Sequence, residues 1–173
     1  TGPRGESYAK ISPDGSFMSS IQNKLFIGGR FVDAKDGATI DVLNPHDNSL
    51  ITRVAEAKAV DVDAAVDAAE RAFPLWSGMP AAERGKLLLK LADRIEAEAD
   101  ALAKLEAIDT GHPIRDAKNI DVLRTAACYR YFGGMADKFQ GSLVPVEAGF
   151  LNYVSRVPIG VVGQIVPWNF PLM

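Results

Sequence analysis

The sequence predicts an α/β fold, in which a small sheet and a layer of helices precede the first strand of a doubly wound sheet. Three observations support this prediction. Short β-rich runs, separated by glycine or Asn-Pro turns, occupy residues 25–54. Apolar residues then recur at helical spacing through residues 61–139. Finally, the run Val161–Val166 has the length and β-branched content of a buried strand.

Composition excludes several function classes. The 173 residues are 47% hydrophobic and 24% charged, which is typical of a globular protein. A formal net charge of -3 and the lack of a basic cluster argue against nucleic-acid binding. No apolar run is long enough to span a membrane, and no secretory leader is recognisable. One cysteine fits a reducing compartment, so we expect a cytoplasmic protein.

The first part of the chain predicts a tail followed by short strands. Residues 1–20 are rich in Gly, Ser and Pro and are expected to form a flexible tail. Gly28-Gly29 should join the first two strands as a hairpin. Strands at Thr39–Leu43 and Leu50–Val54 complete a small antiparallel sheet that needs a packing partner.

Four helices are expected next. The first begins at Asp61 and ends at Pro74, the second begins near Pro80, and the third stops at Gly111. The fourth is expected over residues 114–139, with Gly133-Gly134 weakening its later part. The apolar side chains expected to face inward are Val62, Val66, Ala69, Phe73, Leu87, Leu88, Leu91, Ile95, Leu102, Leu105, Ile108, Ile120, Leu123, Ala127, Tyr131 and Phe132.

A second hairpin is predicted after the helices. Ser142–Val146 and 150–157 form a ribbon that the helices do not need as cover, so it is expected to protrude. An exposed ribbon edge favours pairing with another subunit.

The candidate site is Asn169, which lies between Pro167 and Pro171 just after the predicted strand. Ligands of α/β folds bind at the carboxyl ends of strands, where this neutral amide would offer two donors. From the residues alone, Asn169 could equally cap a helix that Pro171 begins. Trp168 could likewise serve packing alone.

Taken in order, several motifs resemble the N-terminal part of an NAD(P)-dependent aldehyde dehydrogenase. The resemblance covers residues 24–173 and is most specific at the end of the chain. The motifs are Phe26-Ile27-Gly28-Gly29, Asn44-Pro45, Trp76, Leu105-Glu106-Ala107-Ile108-Asp109-Thr110-Gly111, Pro158-Ile159-Gly160-Val161-Val162 and Pro167-Trp168-Asn169-Phe170-Pro171.

The resemblance implies oxidation of an aldehyde to a carboxylic acid with NAD or NADP, through a thiohemiacetal formed by a cysteine. Asn169 would donate to the oxygen that becomes negative, and Ile165, Val166, Pro167 and Trp168 would line the cofactor cleft with it. The family's cysteine and glutamate motifs are absent, so this chain alone is expected to be inactive. The small-molecule aldehyde would be its substrate, and a homodimer or homotetramer its assembly.

The same resemblance divides the chain into parts. After the tail, residues 21–140 would begin the NAD(P)-binding domain, which has a Rossmann-like fold. Residues 141–157 would form an oligomerisation ribbon. Residues 158–173 would supply the first strand and turn of the nucleotide-binding core.

Four other residues with polar or reactive side chains, Asp109, His46, His112 and Cys128, also receive predicted roles. In some relatives a carboxylate matching Asp109, with backbone oxygens matching Thr39 and Ile40, holds a monovalent cation; a salt bridge or a solvated acid is an equal alternative for Asp109. His46 and His112 lie in turn sequences and are expected at the surface. Cys128 lies mid-helix without a basic neighbour and is expected to be a buried structural thiol.

Two further alternatives remain open at the level of sequence. The chain could act as a stand-alone, non-catalytic assembly module that pairs through its ribbon. It could also share the fold but catalyse an acylating or semialdehyde-specific reaction.

Overall fold

The computed structural model describes residues 21–173, so the predicted tail over residues 1–20 lies outside the described residues. Three separate two-stranded antiparallel hairpins flank a group of helices. The first hairpin joins β1 (Leu25–Ile27) to β2 (Arg30–Val32), and the second joins β3 (Thr39–Leu43) to β4 (Leu50–Ala55). The strands are therefore confirmed, but they form two hairpins instead of one sheet.

The helices follow in an unbroken series. They are α1 (Ala59–Gly78), α2 (Ala81–Ala97), α3 (Ala99–Thr110), the short α4 (Ile114–Asp116), a π-helical segment (Ala117–Val122) and α5 (Leu123–Met135). The third hairpin, β5 (Ser142–Val144) with β6 (Asn152–Val154), comes after them. Within residues 21–173, no helix combines the length and the apolar character required to cross a bilayer.

Helix α1 begins earlier and ends later than its sequence predicts. Asp61 is buried and accepts hydrogen bonds from the backbone N–H groups of Lys58 (2.9 Å) and Lys35 (3.0 Å), which ties the helix start to the loop before it. Pro74 does not end the helix, which continues to Gly78. The Arg84 guanidinium donates to the carbonyl oxygen of Met79 just beyond the helix, where orphan carbonyls accumulate.

Helix α3 ends as predicted. Gly111 adopts the left-handed conformation (φ 79°) and closes the helix through its N–H to the Ala107 carbonyl. It also packs closely on the turn after β3: a Cβ at Gly111 would lie 3.2 Å from Pro45 Cγ. This glycine therefore ends α3 and docks it on the second hairpin.

The core is built from small side chains on α2, α3, the π-helical segment and α5. It consists of Ala92, Ile95, Ala99, Ala103, Ala117, Val122 and Ala126, with Leu102, Ala107 and Leu172 packed against it. Small residues allow helix backbones to approach closely, and α2 and α5 show the tightest approach.

The inward face predicted for the fourth helix is wrong. Ile120, Leu123, Ala127, Tyr131 and Phe132 are exposed, whereas the buried positions are Val122, Thr125, Ala126 and Gly133. This helix carries apolar residues on both sides, so periodicity could not choose between them. Close packing on α2 selects the face with small side chains.

Other large side chains predicted to be inward also lie outside the core. Leu87, Leu91 and Leu105 are exposed, as are Val62, Val66 and Ala69 of α1. The α1 residues border a groove of about 330 Å3 that β1 and Val161-Val162 also line. Of the predicted set, Ile95 alone is buried, at 9% exposure.

The run Val161–Val166 forms no strand, which corrects the sequence prediction. Its side chains are exposed, and Ile165 is fully accessible. A parallel strand obtains its hydrogen bonds from neighbours, and the three hairpins within residues 21–173 do not pair with this run. Assignment of residues 158–173 to a nucleotide-binding core stays a prediction.

The α2–α5 contact generates a stability prediction. A Cβ at Gly85 would lie 2.5 Å from the Gly133 carbonyl oxygen, so Gly85→Ala must separate the two helix backbones. We expect a loss of about 1–3 kcal/mol, the usual cost of overpacking, measured as a lower Tm or denaturation midpoint.

Gly134→Ala is the matched control, because a Cβ there meets nothing within 4 Å. Removing a helical glycine at such a site should leave stability unchanged or raise it by about 0.5–1 kcal/mol. Equal Tm values for Gly85→Ala and Gly134→Ala would contradict the close approach.

Candidate functional site

The turn at Trp168-Asn169 is the centre of the candidate site. Both side chains are exposed, Trp168 at 88%. No hydrogen bond of the described part of the chain involves the Asn169 side chain, so its two N–H donors are available. The helix-capping alternative for Asn169 stays a prediction.

The residues directly after Asn169 are held against the helices. The Phe170 ring meets the His112 ring edge-to-face, with ring centroids 5.2 Å apart. Thr125 Oγ1 lies 2.8 Å from the Asp121 carbonyl oxygen and 3.1 Å from the Leu172 carbonyl oxygen, and its single hydrogen is shared between these two acceptors. Leu172 also packs on the alanine-rich core. The turn is therefore exposed at Asn169 and anchored immediately behind it.

A buried polar cluster, Glu106–His112–Asp121, lies under this anchor. His112 Nδ1 is 2.9 Å from Asp121 Oδ2, and the Asp121 side chain is 2% exposed. Glu106 is 6% exposed, and its Oε1 has no hydrogen-bond partner among the described residues. Burial raises the pKa of Glu106, and the nearby Asp121 charge adds to the rise, while the Leu172 backbone amide opposes it.

Sequence reasoning missed this cluster. His112, expected at the surface, is only 26% exposed because the chain reverses at Gly111 and returns along the π-helical segment to Asp121. A signal for Glu106 was present: it shares the helix face of Ala99 and Ala103, which is the buried face of α3. A carboxylate on such a face needs a polar partner.

The cluster also has the dimensions of a cation site. One ligand atom from each of its three residues lies within 4.8 Å of the others. Two carboxylates and an imidazole are donors that a transition-metal ion accepts. His112 and Asp121 already satisfy one another, so hydrogen bonding accounts for this pair without an ion.

The predicted cation residues are only partly brought together. Thr39 and Ile40 are exposed in β3, and Asp109 is exposed in the last turn of α3. The Gly111–Pro45 contact joins the end of α3 to the turn that follows β3. The monovalent-cation site stays a prediction.

The predicted cofactor residues form one continuous exposed stretch. Ile165, Val166, Pro167 and Trp168 are all accessible and directly precede Asn169. Their apolar and aromatic surfaces are suited to contact with flat rings of a ligand. Their contact with a cofactor also stays a prediction.

Cys128 is exposed on α5, so its predicted burial is wrong. It lies on the side of α5 away from the buried positions Val122, Ala126 and Gly133. The same ambiguity between the two faces of this helix explains the error.

The raised pKa of Glu106 generates a prediction about pH. The folded protein holds this proton more tightly than the unfolded chain, so stability falls as the pH rises from the ordinary value of 4.5 through the raised pKa. Glu106→Gln removes that loss. We expect the Tm difference between variant and natural protein to be small near pH ~4 and increasingly positive at higher pH.

Glu70→Gln, which removes one exposed carboxylate from α1, is the control for the loss of a negative charge. A Glu106→Gln difference that is flat with pH, or negative at neutral pH, would contradict the assigned burial.

Comparison with known proteins now identifies the family. The model of the aldehyde dehydrogenase family matches residues 31–173. A mitochondrial aldehyde dehydrogenase of Leishmania tarentolae is 46% identical over 156 residues, covering 90% of this chain and 31% of the relative. An aldehyde dehydrogenase of Alternaria alternata is 49% identical over 150 residues, covering 86% of this chain and 30% of the relative.

Solved structures agree with this. PnpE from Pseudomonas sp. WBC-3 is 70% identical with a TM-score of 0.86, covering 88% of this chain and 31% of that one; PnpE has also been solved with nicotinamide adenine dinucleotide. An NAD+ complex of a Bacillus cereus aldehyde dehydrogenase is 42% identical with a TM-score of 0.88, and the match covers 96% of this chain and 34% of that one. The chain thus spans about a third of its relatives, and it belongs to the aldehyde dehydrogenase family.

Proposed function

We propose that this chain is part of an enzyme that oxidises an aldehyde to a carboxylic acid with NAD or NADP. The observation that carries the proposal is the exposed, unpartnered amide of Asn169 on a turn that is anchored directly behind it. The relatives named as aldehyde dehydrogenases support the reaction class, and the two NAD complexes among the similar structures favour NAD.

The proposed role of Asn169 is to donate an N–H to the aldehyde oxygen. That oxygen becomes negative when a cysteine thiolate adds to the carbonyl carbon and forms a thiohemiacetal. A neutral donor stabilises the new charge without adding a titrating group. The exposed Asn169 side chain needs no rupture of an existing hydrogen bond within residues 21–173 to make this contact.

A bound dinucleotide would supply the hydride acceptor for this chemistry. The exposed apolar stretch Ile165–Trp168 fits a role in holding its rings, because these side chains are accessible and adjacent to Asn169. The chain offers no cysteine suited to be the nucleophile, since Cys128 lies mid-helix on α5. We therefore expect the 173 residues alone to be inactive, so a kinetic test requires the longest natural form of the protein.

We also propose that the β5–β6 ribbon mediates assembly into a homodimer or homotetramer. Leu143 and Tyr153 are paired across the hairpin and are 69% and 67% exposed. Exposed apolar side chains on a two-stranded ribbon favour burial against another chain. The alternative of a stand-alone, non-catalytic module is not supported by the Leishmania tarentolae and Alternaria alternata relatives, because both are named aldehyde dehydrogenases.

The location proposed is the cytoplasm. A single cysteine is what a reducing compartment favours. The name of the Leishmania tarentolae relative places that protein in the mitochondrion, so fractionation of cells that express this protein is the direct check.

The Asn169 proposal predicts the kinetics of two variants. Asn169→Ala should lower kcat by about 10²–10³, the cost of one lost oxyanion donor. Asn169→Asp should be worse, because a carboxylate repels the developing charge. Steady-state kinetics with a simple aldehyde and NAD measures both effects.

Asn119→Ala is the control, because it removes an exposed amide from the π-helical segment and should leave kcat unchanged. The assigned role would be overturned if Asn169→Ala kept the natural kcat. It would also be overturned if Asn169→Asp and Asn169→Ala had the same kcat.

The ribbon proposal predicts a change of oligomeric state. Leu143→Lys with Tyr153→Lys places two like charges on one face of the ribbon, so we expect a smaller particle by light scattering. Asn119→Lys adds a charge at an exposed site elsewhere and should preserve the mass. An unchanged mass for the double ribbon variant would contradict the assembly role.

A further inference from the structure

We propose that Thr125, His112 and Asp121 form a clamp that positions the Asn169 turn for catalysis. This inference rests on the proposed function of Asn169 and extends it to residues that contact neither substrate nor cofactor. The three residues are positioning residues.

The first contact of the clamp is the Thr125 hydroxyl. Thr125 is 4% exposed on the buried face of α5, and its Oγ1 lies 3.1 Å from the Leu172 carbonyl oxygen. The same hydroxyl lies 2.8 Å from the Asp121 carbonyl oxygen, so one side chain joins the turn segment to the π-helical segment. Within the described residues, this is a bond between positions 47 apart in the chain.

The second contact is the edge-to-face packing of His112 against Phe170. Asp121 is almost fully buried and holds His112 Nδ1 at 2.9 Å, which fixes the orientation of the imidazole. The oriented ring then meets Phe170 edge-to-face. Phe170 is the residue directly after Asn169, so a displacement of its ring is transmitted to the Asn169 backbone.

The third element is the environment of Leu172. Its side chain packs on the alanine-rich core formed by α2, α3, the π-helical segment and α5. Phe170 is thereby restrained through its ring, and Leu172 through its side chain and its carbonyl oxygen, while Asn169 stays exposed. Preorganised donors need placement within about 0.5 Å, which a turn without such supports does not provide.

Thr125→Val tests the clamp, because it removes the hydroxyl and keeps the shape. We expect kcat to fall about tenfold with KM for the aldehyde nearly unchanged, as small misplacements of a catalytic group cost rate. Thr125→Ser keeps the hydroxyl and should restore kcat. A purely structural role would lower the Tm of Thr125→Val without this kinetic pattern.

A double-mutant cycle connects the effect to Asn169. In an Asn169→Ala enzyme the donor is gone, so adding Thr125→Val should change kcat by less than about twofold. The same tenfold loss in both backgrounds would overturn the clamp. If Asn169→Ala alone keeps the natural kcat, the proposed function itself fails, which separates the two outcomes.

His112→Gln provides a second route if Thr125→Val does not fold. Glutamine can still donate to Asp121 but presents no ring to Phe170. The clamp predicts the same loss of kcat and the same disappearance of the loss in the Asn169→Ala background. A kcat equal to that of the natural protein would count against a role for the edge-to-face contact.

Discussion

The close approach of α2 and α5 is the constraint on which the rest of the structure depends. Gly85 and Gly133 bring the two backbones so near that a Cβ at Gly85 would lie 2.5 Å from the Gly133 carbonyl oxygen, and one at Gly133 would lie 3.0 Å from the Gly85 carbonyl oxygen. Arg130 of α5 reinforces the contact from the exposed side, with ion pairs to Glu96 at 2.7 Å and Asp93 at 2.8 Å. Exposed pairs add little stability, so small-residue packing dominates. This contact fixes the position of Thr125, which faces inward on α5.

Polar side chains connect α5 to the candidate site. The π-helical segment precedes α5 and carries the buried Asp121. Asp121 orients His112, which lies just after the end of α3. Leaving any one of these buried groups without a partner costs free energy, so the network favours a single arrangement. An apolar contact in the same place would tolerate sliding. The turn that carries Asn169 is therefore supported by direction-dependent bonds.

Local features of this fold could be predicted from sequence, and features that depend on distant partners could not. The Gly28-Gly29 hairpin and the end of α3 at Gly111 follow from the backbone freedom of glycine, because all three glycines adopt a positive φ. Both features can be recognised from the glycines and the few residues around them. The buried face of α5 depends on which side meets α2, so the large residues Tyr131 and Phe132 misled the prediction. The His112–Asp121 pair forms only after the chain reverses. Asn169 was found because a motif of five residues surrounds it, whereas its anchor Thr125 lies 47 positions away.

The central claim is that the Asn169 amide meets an oxygen that becomes negative during turnover. A crystal structure of the longest natural form of the protein, with NAD and an inert aldehyde analogue bound, tests it most directly. The account predicts Asn169 Nδ2 at about 2.7–3.1 Å from the analogue's oxygen, with residues 170–172 still held by Thr125 and His112. An amide that points away from that oxygen, or lies beyond about 4 Å from it, would contradict the account.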